Sequence, residues 1–344
     1  MRFHLAALAA ALAVQASAAR ADSIVALIGE DILATIDSRT ARTTNLVKID
    51  GVGPILGIDV RPADGRLYAL ASDGSIAIID PATGKAAPKS KLEKLPLADV
   101  QVAVDFNPVA DKMRIIGADG TNLRADVDSG KVTEDQPLKF AANDPSAGRP
   151  PIIVAGAYSN SVKGAKETTL YDIDAGLSML FRQAPPNDGV LNTIGTLGVS
   201  IDRIGFDIVT DGAGANTGLL VANGKLYTLD LSTGTAAAGK TIAGLPADVR
   251  DIAVLPSPAA KQASNMTMGS GDAGMTALPG PPGSVSRSMP GPVTGNLARP
   301  MAGTTKMEAS STLPSRAAYM QKDATTMRKM KVMRGPQCDD RRVQ

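Results

Sequence analysis

Residues 57–84, GIDVRPADGRLYALASDGSIAIIDPATG, hold three short β-type runs separated by two tight turns and closed by a third. The turns are Pro62-Ala63-Asp64-Gly65, Ser72-Asp73-Gly74 and Asp80-Pro81-Ala82-Thr83-Gly84, in which Gly, Asp and Pro supply the backbone angles that reverse a strand. The pattern recurs. Setting residues 57–61 against 103–107 superimposes Asp59 on Asp105 and the turn at Asp73 on that at Asp119, both at an offset of about 46 residues, within the range of propeller-blade repeats. Further copies run over residues 152–197 and 203–242. A small meander cannot bury both of its faces alone, so successive copies must stack on one another.

The ends of the series settle how the stack closes. Residues 23–28, 32–36 and 43–49 make a unit of three strands where the others have four, and residues 249–255 make a first strand with no successors. Pairing 251–255 with 23–28 completes one blade from both chain ends and leaves no long sheet edge exposed. The expected fold is therefore all-β, a β-propeller of five four-stranded blades over residues 22–256. Six blades follow if the outer strands are parsed differently, and a β-sandwich of paired meanders is the alternative that leaves the repeat unexplained.

Outside the repeats the chain changes character. Arg2, an apolar stretch over residues 5–14 and the small-residue sites Ala16-Ser17-Ala18 and Ala19-Arg20-Ala21 read as a signal peptide, residues 1–21, cleaved before Asp22. That stretch is shorter than the roughly 20 residues needed to span a bilayer, and no other run is both long enough and uncharged. The mature chain is expected to be periplasmic or extracellular. Residues 257–344 are rich in Pro, Gly, Ser, Thr and Met without a sustained period, which is the composition of a disordered tail.

Composition removes several kinds of chemistry. The one histidine of the 344 residues, His4, lies in the signal segment, so imidazole acid–base catalysis, Ser-His-Asp triads and His-ligated metals are excluded from the mature chain. One cysteine, Cys338, cannot form an intrachain disulfide. Tryptophan is absent and aromatics are few, which argues against stacking platforms for single strands. The net charge of +2 divides into about −7 over residues 22–256 and about +7 over 257–344. An acidic body is a poor partner for nucleic acid.

On these residues the chain from about 23 to 256 resembles the bacterial family called domain of unknown function 4394. The resemblance is carried by GIDVRPADGRLYAL (57–70), VDFNPVADKMRIIGADGTNLR (104–124), AYSN (157–160), TTLYDID (168–174), PPNDGVLNTIGTLGV (185–199) and GFDI (205–208). It implies an exported bacterial protein with a propeller-like fold, and it brings no catalytic residue.

The candidate chemistry is a set of aspartates. Asp59, Asp105, Asp207 and Asp251 occupy one matching position in the first strands of four units, with Ala157 and Tyr158 in the other. First strands line a propeller's channel, so four converging carboxylates call for something positive, and a hard cation such as Ca²⁺ suits oxygen ligands. Alternatively each aspartate accepts backbone N–H groups of the next blade or pairs with Arg61, Arg114 or Arg250, and then it is structural. Carboxylate catalysis of the glycosidase kind is a third reading.

Other features carry less. Phe106-Asn107-Pro108 with Arg114, Asn122 and Arg124 forms a candidate anion-binding face, equally readable as a solvated sheet surface. The Asp-x-x-Thr/Ser-Gly segments at Asp80, Asp126 and Asp230 read as turns with a left-handed Gly, not as metal loops. Gly212 and Gly214 lack the following helix of a phosphate cradle. Ten of the 13 methionines lie in the tail, where thioethers could take Cu(I). The leading expectation is a non-enzymatic scaffold that binds an unidentified protein or small molecule without nucleic acid and without a cofactor.

Overall fold

The computed structural model describes residues 22–96, 100–201 and 203–256. The expected signal segment and the expected tail, with its Cu(I) candidate methionines, lie outside the described residues. No helix among the described residues is long and apolar enough to cross a membrane.

Five small antiparallel sheets form a ring. In chain order the first strands are β1 (Ser23–Ile28), β2 (Ile32–Asp37) and β3 (Arg42–Lys48). Then come β4 (Ile55–Arg61), β5 (Arg66–Ala71), β6 (Ser75–Ile79) and β7 (Ala86–Lys91), which make blade 2. Blade 3 contains β8 (Val102–Asn107), β9 (Lys112–Gly117), β10 (Asn122–Ala125) and β11 (Val132–Glu134). The short β12 (Lys139–Phe140) precedes blade 4, which is β13 (Ile153–Tyr158), β14 (Leu170–Asp174), β15 (Met179–Gln183) and β16 (Val190–Thr196). Blade 5 holds β17 (Ile204–Thr210), β18 (Asn216–Ala222), β19 (Lys225–Leu229) and β20 (Lys240–Thr241), and the last strand is β21 (Val249–Leu255).

The ring closes as the chain ends required. β21 pairs antiparallel with β1, Ser23 opposite Leu255 and Ala26 opposite Ile252, so blade 1 reads β21-β1-β2-β3. The five strands β21, β4, β8, β13 and β17 contact one another in cyclic order and line the axis. Each is nearly continuous in apolar residues because both of its faces are covered by neighbouring blades. Outer strands face water on one side and alternate instead, as β3 does between exposed and half-buried residues. Five apolar clusters fill the five seams between blades.

The turns follow their chemistry. Asp80 accepts the Ala82 N–H and the Thr83 hydroxyl, Asp126 the N–H groups of Asp128 and Ser129, and Asp230 that of Ser232, while Gly84, Gly130 and Gly234 adopt φ of 75°, 80° and 77°. In the Gly212/Gly214 segment, Asp211 Oδ1 accepts the N–H groups of Ala213 and Ala215, again a turn.

One blade departs from the four-strand expectation. After β11 the chain crosses to blade 4, where β12 adds a fifth strand parallel to β16, Lys139 opposite Val190. The segment 131–138 therefore serves two blades: residues 132–134 edge blade 3, while Gln136 N donates to Asn187 O of blade 4.

Candidate functional site

The axial carboxylates are buried, between 3% and 6% exposed. Asp59 accepts the N–H of its own neighbour Val60 at 2.6 Å and of Phe106, in blade 3, at 2.7 Å. Asp105 accepts the N–H of Tyr158 in blade 4 at 3.0 Å. Asp207 accepts those of Ile208 and, in blade 1, Val254, both at 2.6 Å. Asp251 accepts those of Ile252 and, in blade 2, Ile58, both at 2.9 Å. Four of the five seams are thus tied by a carboxylate that reaches the innermost strand of the next blade. The fifth, from blade 4 to blade 5, has Ala157 at this position and is fastened at the rim instead. There Asn160 N donates to Asn216 Oδ1, Asn216 Nδ2 to Asn160 Oδ1, and Ser161 N to Thr210 Oγ1.

The arginines offered as alternative partners are engaged elsewhere. Arg61 bonds Asp111 and Asp128, Arg114 bonds Asp135, and Arg250 bonds the Ile55 carbonyl and Glu30.

Asp251 does not share the position of the other three. Asp59, Asp105 and Asp207 each tie to the residue that follows the matching position in the next blade: Phe106 after Asp105, Tyr158 after Ala157, Val254 after Ala253. The equivalent of Asp207 is therefore Ala253, about 46 residues on, and Asp251 sits two residues earlier on the same face. A bulge at Arg250, between the pairs Leu27–Asp251 and Ile28–Val249, accompanies the displacement. Gly57 makes room for it, since a Cβ there would stand 3.0 Å from Asp251 Oδ2 and 2.6 Å from Val104 Cγ2. Accordingly one carboxylate oxygen from each of Asp59, Asp105 and Asp207, without Asp251, lies within 4.8 Å of the others.

Burial dominates the electrostatics. It pushes Asp59, Asp105 and Asp251 well above the usual carboxylate range, with the charge of Asp207 adding to the rise at Asp59 and those of Asp59 and Asp207 at Asp105. Asp207, also raised by burial, reaches only about 6 because the Val254 and Ile208 N–H groups favour its ionised form. Three crowded carboxyls with raised proton affinity titrate as one unit and not singly.

The expected anion-binding face is not on the surface. Arg114 and Asn122 are 2% and 1% exposed, and their polar groups point into the seam of blades 3 and 4. Arg114 Nε donates to Tyr158 Oη, Nη1 to Asn122 Oδ1 and to Asp135, and Nη2 to Asn187 Oδ1. Arg124 closes on Asp135 with two bonds. Asn107 caps its own turn through the N–H groups of Val109 and Ala110, and Phe106 is in the core. Alternating polar residues on β9 and β10 look the same whether they face water or a polar seam, which is why the pattern misled.

Sequence reasoning passed over Asp172, fully buried on β14, whose two carboxylate oxygens have no hydrogen-bond partner. Burial raises it to about 8, against the pull of Arg114. The available signal was Gly156, directly opposite on β13, where a Cβ would stand 2.7 Å from Asp172 Oδ1. The PPNDG segment also gains a role: Asn187 caps Arg114, and the Pro186 carbonyl accepts from Asn122 and Gln183.

No curated protein matches the chain. Among solved structures, a protein of unknown function from Bacteroides thetaiotaomicron VPI-5482 is 14% identical, with 70% of this chain and 68% of that one covered at a TM-score of 0.42. A second protein of unknown function, from Bacteroides caccae, is 12% identical, with 64% and 73% covered at a TM-score of 0.35. Residues 32–253 match the family model described as "Domain of unknown function (DUF4394)", and the chain belongs to that family.

Proposed function

We propose that the protein is an exported, non-enzymatic binding module that holds a protein or small-molecule ligand on the loops at one rim of the propeller. The observation that carries this reading is the commitment of the axial carboxylates to backbone N–H groups of the next blade. A glycosidase needs two carboxyl groups about 5 to 10 Å apart with solvent and sugar between them. Asp59, Asp105 and Asp207 are closer and buried, and five of their six oxygens already accept backbone N–H groups. What varies from blade to blade is the loop joining the first strand to the second. It is longest between β13 and β14, where Val162 is 42% exposed, and the corresponding loop between β8 and β9 exposes Val109. Loops on a rigid scaffold are the usual seat of binding. Export itself rests on residues 1–21.

Two assays test this reading. The mature chain should hydrolyse nitrophenyl glycosides no faster than its Asp105→Asn variant, and turnover that the variant loses would restore the enzyme. Labelled wild type should retain a ligand from the native exported fraction that Val162→Glu, folded by circular dichroism, releases. Equal retention by both would remove the rim from the account.

The clustering of Asp59, Asp105 and Asp207 oxygens favours a second reading, a cation such as Ca²⁺ on the axis. The donor set fits only in part. Asp59 and Asp207 already accept N–H groups at both oxygens, Asp105 at one, and Ca²⁺ takes six to eight oxygens. Calorimetric titration of Ca²⁺ into the chelator-treated protein decides it: heat and a raised melting temperature support the cation, and neither supports carboxyls held by protons.

A further inference from the structure

The seam of blades 3 and 4 contains three buried acceptor atoms with no partner, Asp172 Oδ1, Asp172 Oδ2 and Gln183 Oε1. Asp172 lies opposite Phe181, and Gln183 two residues further along β15 points to the same face, so the two are diagonal neighbours. Cα atoms so placed are about 7–8 Å apart, a gap that side chains plus one water can span. The Gln183 amide is oriented by its other end, since Nε2 donates to the Pro186 carbonyl at 2.6 Å. Four of the five Arg114 N–H groups are engaged, leaving one Nη2–H. Around these groups are Gly156, Ile116, Leu170 and Phe181, which offer no polar side-chain atom.

We propose that this seam is a binding site for an internal water molecule, which joins a neutral Asp172 carboxyl to Gln183 Oε1. A neutral carboxyl supplies one O–H donor where unpartnered acceptors face one another. Water supplies two more, and a buried water making about three such bonds is a normal structural component. A metal cation is disfavoured because the seam already holds the Arg114 guanidinium, whose charge Asp135 neutralises, while Arg124 stays partly exposed to solvent. Burial of Asp172 in an apolar layer favours its neutral form.

A crystal structure of the mature chain at about 1.2 Å resolution should show one water within hydrogen-bond distance of both Asp172 and Gln183. Direct contact of the two side chains without that density, or an anomalous signal from a metal, overturns the proposal. Independently, the infrared difference between wild type and Asp172→Asn at pH 6 should contain a protonated carboxyl C=O band that shifts in D₂O. In Gln183→Met, which keeps the side-chain length, that band should move to higher frequency as its hydrogen bond is lost. A difference spectrum without the band, or a band unmoved in Gln183→Met, contradicts the site.

Discussion

Replacing Asp207 by alanine separates the two things its carboxyl does. Its oxygens accept two backbone N–H groups, and truncation strands both in a buried seam, at about 1–3 kcal/mol each and so roughly 4 kcal/mol together. Opposing this is the cost of keeping the charge buried. Burial holds the carboxyl at about 6 in the folded protein, against 3.8 for an ordinary aspartate. A folded pKa above the unfolded value means stability that is complete below the unfolded pKa and declines as pH rises through the folded one. At about 1.36 kcal/mol per unit the loss reaches roughly 3 kcal/mol by pH 8, of which about 1 has occurred by pH 4.5. Alanine carries no such loss. Its penalty in urea unfolding should therefore be about 3 kcal/mol at pH 4.5 and fall to about 1 kcal/mol at pH 8. Asp59 adds to the narrowing, because the charge of Asp207 raises its proton affinity. A penalty that grows with pH would refute the reasoning, because the ionised carboxylate would then be the stabilising form.

Asp172→Asn should stabilise the protein, since an amide N–H donates where the neutral carboxyl O–H does and the substitution sheds a carboxyl raised to about 8. The gain in urea unfolding should be about 4 kcal/mol at pH 7 and close to nothing at pH 4, because the folded state of the wild type loses stability only as pH rises above the unfolded pKa. Gly84→Ala should cost upwards of 2 kcal/mol by thermal or urea unfolding. The position has φ of 75°, and a Cβ would collide with the Lys48 carbonyl oxygen of blade 1. Removal of residues 249–344 should leave β1 an unpaired edge and convert a cooperative transition into an aggregation-prone one, read by light scattering during thermal melts.

The ring was legible because its determinants are local and repeated. Asp-Gly turns, the offset of about 46 residues and the mismatch between a three-strand start and a one-strand end are all properties of the chain read in order. What escaped was set by contacts between blades. Asp251 falls on a matching apolar-polar pattern, and only the bond from the Val254 N–H to Asp207 shows that Ala253 takes the matching place. The transfer of β12 to blade 4 depends on an open edge at β16, which no feature of residues 139–140 announces. Arg114, Asn122 and Asp172 alternate with apolar residues as solvated side chains do. Arg114 and Asn122 are covered by Tyr158, Pro186 and Asn187, brought across the seam from tens of residues away, while Asp172 fits against Gly156 of its own blade.

The axial carboxylates bind blade to blade through backbone amides. Hydrogen exchange resolved by residue tests it directly at Ile58, Phe106, Tyr158 and Val254, the four amides held by Asp251, Asp59, Asp105 and Asp207. All four should rank among the slowest amides in the protein, and Asp59→Ala should accelerate Phe106 more than Tyr158 or Val254. Rapid exchange at these positions in the wild type, or a uniform response to Asp59→Ala, would contradict it.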